Sequence, residues 1–188
     1  QHRPVGVILG HMAAQHGRIV QPQQWGAQQQ EQQGGEIETQ RKSLGGGLAG
    51  LVTALEALRA GRRVALVDRD TAQRLGGLAL WAFGGMALVG TPLQARMKIP
   101  DTPERALRDW LRFGEIDPED TYPQQWARYY VEHSRAQVYD WLIQEGVKFM
   151  PAVNWVERGR FGDGNSVPRY HIVWGTAREL TRRMVAAM

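Results

Sequence analysis

The run Gly45-Gly46-Gly47-Leu48-Ala49-Gly50, continuing through Leu51–Leu58 to Gly61 and then Val64-Ala65-Leu66-Val67-Asp68, narrows the choice of fold more than any other segment. It reads as a glycine turn, an amphipathic helix, a glycine stop, a strand and an acid. Gly45 permits a tight turn. Gly47 lets the backbone approach a diphosphate, and Gly50 lets the helix lie close on a sheet. The start of such a helix offers N–H groups and a partial positive charge to phosphate. Asp68, at the strand end, is placed to accept hydrogen bonds from a ribose. Glycine runs also occur in plain loops. The helix, its stop and the acid-terminated strand at this spacing favour half of a dinucleotide-binding βαβ unit.

The segment before Gly45 is unlike the strand that should precede it. Gly35-Glu36-Ile37-Glu38-Thr39-Gln40-Arg41-Lys42-Ser43-Leu44 is polar and lacks the β-branched run of a buried parallel strand. The first strand is therefore expected to be absent, replaced or degraded. Residues 1–44 as a whole are atypical, with glutamines crowding positions 21–33. Such composition buries too little apolar surface to offset its ordering entropy, so a disordered Gln-rich tail is expected. The chain begins with Gln1, which points to a fragment, a processed product or a misjoined 5′ end.

Composition excludes several chemistries. The 188 residues contain no cysteine, so disulfides, thiolate zinc sites and cysteine catalysis are out. A hydrophobic share of 43% is ordinary for a globular chain, and no apolar run is long enough to span a bilayer. With no export signal either, a cytoplasmic location is expected. The net charge of +4 is modest and its arginines are dispersed, which reads as a solvated surface and not as a nucleic-acid face. His2, His11 and His16 are not spaced as metal ligands.

Beyond Asp68, Leu75-Gly76-Gly77 and Phe83-Gly84-Gly85 bracket an apolar, aromatic stretch. Either this is a turn and a buried strand, or it is backbone lying flat against a planar ligand. Thr102 can cap a helix opening at Pro103. A second helix is predicted from near Pro123 to Glu145, burying Trp126, Tyr129, Tyr130, His133, Val138, Trp141 and Leu142 and stopping at Gly146. Val147–Met150 and Arg169–Val173 are strand candidates, residues 159–165 a glycine-rich loop. Thr176-Ala177-Arg178-Glu179 matches a capping box opening a last helix.

From Gly45 to about Met188 the chain resembles FAD-binding dehydrogenases of the fumarate reductase and 3-ketosteroid dehydrogenase superfamily. Gly45, Gly47 and Gly50 match that family's diphosphate glycines, and Asp68 its ribose-binding acid, more often a glutamate there. Gly76, Gly77, Gly84 and Gly85 look like the second glycine region, which in the family runs along the flavin. The stretch from Thr102 to Gly146 resembles the segment leading toward the substrate cap. The run Gly164–Thr176 is similar to the return into the FAD domain. The resemblance implies an α/β fold: a partial Rossmann-like FAD-binding domain with a largely helical insertion, over residues 45–188. It departs from the family in the missing apolar first strand and in Ala177, where another glycine is usual. The family also continues for hundreds of residues past this point.

The implied activity is that of an FAD-dependent oxidoreductase acting on carbon–carbon bonds next to a carbonyl. Its substrate would be a small molecule, steroid-like or a dicarboxylate; the electron partner is not indicated. By the resemblance, His171 falls where the fumarate reductase branch contacts the substrate acid, making it the catalytic candidate. A structural histidine bonded to backbone at a strand end is the plainer reading. Arg169 reads as a surface charge or as a partner for a substrate carboxylate or a phosphate. His133 reads as structural. Two other functions stay open: a truncated, non-catalytic remnant of a flavoprotein gene, and an NAD-binding module sharing the same fingerprint.

Overall fold

The structure, a computed structural model, describes residues 6–9, 41–153, 156–158 and 163–188, with backbone alone for 6–9 and 41–44. The chain forms two compact units, one of residues 1–75 with Met188 and one of residues 76–187. The division falls after Leu75, so the expected 45–188 domain contributes to both. The rest of the expected tail, including the glutamine-crowded stretch, lies outside the described residues.

In the first unit, three parallel strands are arranged in the order β1 (Gly6–Leu9), β3 (Val64–Asp68), β2 (Arg41–Leu44). Helix α1 (Leu48–Arg59) carries the chain from β2 to β3, the crossover that parallel pairing requires. Leu51, Ala54 and Leu55 bury one face of α1 at helical spacing. The glycine stop acts as predicted. Gly61 takes φ +72°, its N–H reaches Leu58 O at 2.9 Å, and the Arg62 N–H reaches Ala57 O at 2.9 Å. These paired bonds close the last turn in the Schellman pattern, which glycine enters at no steric cost.

The polar segment before Gly45 does form a strand, replacing the apolar one that the sequence lacks. Arg41 to Leu44 pair residue for residue with Val64 to Val67. A ladder uses backbone N–H and C=O groups that every non-proline residue carries, so polar side chains do not prevent it. β2 is at one edge of the three described strands, with Ala65–Asp68 paired to Gly6–Leu9 on the other side of β3.

In the second unit, β4 (Gly85–Ala87) pairs antiparallel with β5 (Tyr170–Ile172), placing Met86 opposite His171. The predicted strand at Val147–Met150 amounts to one bridge, Phe149 to Val173. Helices α2 (Pro92–Arg96), α3 (Pro103–Phe113) and α4 (Thr121–His133) follow β4. Thr102 caps α3 as expected, accepting from the Arg105 N–H at 3.3 Å. One core gathers Leu88, Leu93, Tyr139 and Val153; another gathers Val89, Ala106 and Val131.

The long helix differs from its prediction. α4 runs on as a π-helix over Ser134–Asp140 before α5 (Trp141–Gln144), and Gly146 ends the stretch at φ +74°. Its buried positions are Ala127, Val131, Ser134, Tyr139 and Leu142. The step from Ser134 to Tyr139 is the i→i+5 spacing of a π turn, which a uniform 3.6-residue period cannot anticipate. Trp126, at 71% exposure, and Tyr129 precede the π turn and lie off the Ala127–Val131 face of α4, so they face solvent instead of the core. The capping box at Thr176 does not form. Gly175, in the left-handed region, stands at the N-cap of α6 (Thr176–Ala186), and the Thr176 N–H reaches Val173 O. Glu179 points along α6 to Arg182 and Arg183, so it cannot reach back to the helix start. Among the described residues, no helix is long and apolar enough to cross a membrane.

Candidate functional site

The register of β2 on β3 sets the geometry of the glycine turn. Leu44 stands opposite Val67, so the chain leaves β2 beside the end of β3. The Gly45 N–H donates to Val67 O at 2.8 Å, and the left-handed φ of +87° at Gly45 then redirects the backbone. Gly47 is the N-cap of α1 and, being glycine, supplies no capping side chain. A Cβ built at Gly45 or Gly47 would meet nothing within 4 Å. The protein's own packing therefore leaves open the space that a side chain at Gly47 would enter. Gly50 is half-buried in the first turn of α1.

Asp68 ends β3 and closes on this turn. One carboxylate oxygen accepts from the Gly46 N–H, the other from the Asp70 N–H at 2.8 Å. The Asp70 N–H, and after it the Gly46 N–H, hold the Asp68 carboxyl below its ordinary range, so it is ionised at neutral pH. Each carboxylate oxygen keeps a further lone pair, so acceptance from a ribose hydroxyl is still chemically available. Gly46 was not singled out from the sequence, yet it is the most confined glycine of the turn. A Cβ there would run into the Leu75 side chain and sit 2.8 Å from Asp68 Oδ2. Its signal was in plain view, a fourth glycine at the variable position between Gly45 and Gly47.

The second glycine region has a different character. A Cβ at Gly84 would sit 2.6 Å from the Ala177 nitrogen, one at Gly85 would enter the Tyr170 ring, and one at Gly76 would collide with Thr181. Gly77 has φ +54°. These glycines thus have a reason within the unit's own packing. The apolar residues between them face outward, Leu78 at 88% and Trp81 at 78% exposure.

His171 is fully buried in β5. Its Nδ1 is 2.6 Å from Arg169 O, a carbonyl that can only accept, so Nδ1 carries the proton. Nε2 then accepts from the Thr91 hydroxyl at 2.7 Å. Tyr139 and Phe149 meet the ring edge-on. Burial pushes the imidazole pKa down, which keeps the ring neutral. The sequence expectation of a substrate contact here meets a ring with neither nitrogen free.

Arg169 is also buried, which corrects its surface reading. Its guanidinium grips Asp101 through Nε and Nη2, the latter at 2.8 Å, and Asp109 through Nη1 at 2.7 Å. Nη1 also donates to Asn165. Neither a carboxylate nor a phosphate from outside is needed to balance this charge. Burial pushes the Asp109 carboxyl up, but bonds from Ser166 and Arg169 outweigh it and the net shift is downward.

Residues 44–188 match the model of an FAD binding domain family. The chain belongs to that family. Over 137 residues it is 47% identical to a KsdD-like steroid dehydrogenase of Mycobacterium tuberculosis, which covers 71% of this chain and 24% of that protein. It is 30% identical over 134 residues to a cytochrome-type fumarate reductase of Shewanella frigidimarina, covering 71% and 21%. Among solved structures, the open conformation of a flavocytochrome c3 fumarate reductase is similar with a TM-score of 0.63 at 27% identity, over 79% of this chain and 24% of that one. The chain spans about a quarter of the length of these relatives. The resemblance drawn from the glycine motifs holds, and the cofactor of the matched family is FAD, as expected.

The FAD-binding family's turn fits its group here on two counts: the open space at Gly47 and the uncapped helix end behind it. Sequence reasoning missed the buried polar set around Arg169. Thr91 and Gln94 form a full capping box on α2, and the Gln94 amide goes on to Asp101 Oδ2 at 3.0 Å and Pro168 O at 2.8 Å. Thr91-Pro92-Leu93-Gln94 carries the box signature, so this signal was readable. The meeting of Asp101 and Asp109 with Arg169, more than 50 residues apart in sequence, had none.

Proposed function

We propose that this chain is the cofactor-binding part of an FAD-dependent oxidoreductase acting on a carbon–carbon bond beside a carbonyl, with a steroid-like small molecule as substrate. The observation that carries the cofactor half of this reading is the open Cβ position at Gly47, the residue at the uncapped start of α1. In a Rossmann-like arrangement, the backbone of Gly45, Gly47 and the first turn at Gly50 hold the diphosphate, and Asp68 takes the ribose hydroxyls. FAD, when bound, supplies the hydride and two-electron chemistry of the family. The chain's own residues position it: Asp68, ionised and anchored by Gly46 and Asp70, fixes the turn and presents its remaining lone pairs. The substrate class rests on the steroid dehydrogenase relative. The cytoplasm is the proposed location.

In this reading His171 is a positioning residue. Its two bonds tie β5 to Thr91 at the head of α2 and to the Arg169 carbonyl. The test of the cofactor reading is the visible absorbance of the purified chain after addition of FAD and gel filtration. A retained flavin spectrum, with Asp68→Ala weakening retention, is the expected result. A protein that stays colourless under saturating FAD overturns it and favours the remnant reading.

A further inference from the structure

The second unit carries a charged hollow that FAD binding at the glycine turn does not use. The bridge from Phe149 to Val173 and the bond from the Trp174 N–H to Lys148 O, 2.7 Å, lay Lys148 and Trp174 side by side. The chain then turns at Gly175, φ +88°, into α6. Arg178 and Arg182 follow one helical turn apart, with Arg183 next to them. Together these residues line a hollow of about 400 Å³, within the range of about 300–1,000 Å³ usual for small-molecule sites.

Four cations meet one carboxylate here, an excess of three positive charges. Glu179 is gripped by Arg182 and Arg183, each at 2.8 Å, and its pKa falls to about 2 through the bonds from Arg182 and then Arg183. It is therefore a permanent anion already committed to those two. Lys148 and Arg178 have no side-chain partner among the described residues, although they share the hollow. Like charges gathered in a concavity repel one another and favour a multiply charged anion. Trp174, 59% exposed, adds an indole wall beside them. The backbone at the start of α6 is already committed, since Thr176, Ala177 and Arg178 donate to Val173 O, Ala82 O and Thr176 Oγ1. Recognition thus falls to side chains, with phosphates for the cations and a flat ring for the indole.

We propose that this hollow is a second binding site, for a nucleoside diphosphate, with Lys148 and Arg178 taking the phosphates and Trp174 the base. It shares no residue with the glycine turn and stands whether or not that turn holds FAD. The test is calorimetric titration of the whole chain with ADP and with inorganic pyrophosphate. ADP should bind the Gly47→Val variant undiminished. Lys148→Glu combined with Arg178→Glu should weaken ADP at least tenfold while FAD retention and the thermal melt are unchanged. Trp174→Ala should weaken ADP by about tenfold, as loss of base–aromatic stacking does, and leave pyrophosphate alone. If the charge-reversed protein melts early, Lys148→Gln with Arg178→Gln replaces it, with the same direction expected. ADP affinity indifferent to these changes, or abolished by Gly47→Val alone, overturns the proposal. Equal affinity for ADP and pyrophosphate, insensitive to Trp174→Ala, overturns the nucleotide assignment.

Discussion

The two glycine regions use the same residue for opposite reasons. Around Gly45 and Gly47 in the first unit, the space a Cβ would take is empty of protein. Around Gly76, Gly84 and Gly85 in the second unit, the same space is filled by Thr181, by the Ala177 backbone and by Tyr170. A glycine hemmed in by its own chain is explained by folding. Gly45 also answers to its left-handed φ of +87°, but Gly47, in extended backbone with open space at a bare helix start, is explained by something that comes from outside. Sequence alone ranks the two regions together, because both are written in the same letter.

The largest effect should come from filling a closed position. Gly84→Val would press a branched side chain against the backbone at Thr176–Ala177 while holding a left-handed φ of +80°. Backbone cannot rotate away as a long side chain can, so a loss of about 3 kcal/mol or more is expected. Urea unfolding followed by far-UV circular dichroism measures it. A Gly84→Val protein as stable as the parent would break the contrast, by showing that the second region is as open as the first.

Filling an open position should do the reverse. Gly47 has φ −70° and ψ 172°, extended backbone that valine adopts without strain, and no capping bond is lost. Gly47→Val should therefore keep its melting temperature and lose FAD by about a hundredfold or more in affinity, as a side chain enters the diphosphate's place. Equilibrium dialysis with FAD, beside a thermal melt, separates the two. Unchanged FAD affinity would mean that the turn is shaped for the fold alone.

The contrast also marks how far the sequence could be read. Within the first unit the amphipathic helix α1, the Gly61 stop and the strand ending in Asp68 were legible, while β2, written in polar residues, and the bond from the Gly46 N–H to Asp68 were not. What was legible depends on spacing over a few residues or on a single crossover. The second unit was legible at the Thr102 cap, but the Thr91 cap was missed and the one expected at Thr176 does not form. That unit was not legible where distant residues meet or where the period changes. Arg169 looked like surface because no carboxylate near it in sequence pairs with it; its acidic partners arrive from α3 and the α2–α3 connection. Trp126 and Tyr129 looked like core because they are large and aromatic, but α4 buries the face carrying the smaller Ala127 and Val131, and the π turn shifts the buried face only further on, from Ser134 to Tyr139. His171 fits the same pattern, since its role depends on Thr91, eighty positions earlier in the chain.

His171 gives the smallest test and the most discriminating one, because it asks of a side chain what the valines ask of the glycines. A histidine open to substrate would titrate near its ordinary pKa of about 6.5 in the folded chain as in the unfolded one, so stability would not respond to its proton. A histidine closed in by Thr91, Arg169, Tyr139 and Phe149 has its folded pKa pushed down by burial. Between that lowered value and the ordinary one, the unfolded chain takes up a proton that the folded chain refuses. Stability is then present in full above about pH 6.5 and is lost as pH falls, by at most about 1.4 kcal/mol per pH unit until the folded pKa is reached. The Asp109 carboxyl, held low by Ser166 and Arg169, adds loss only at lower pH, below the usual carboxylate range of about 3.9. Urea midpoints at pH 7.5, 6.5 and 5.5 therefore isolate the histidine, and His171→Gln should flatten the slope. A parent protein with no slope in that window would place His171 with the open residues and return it to the substrate.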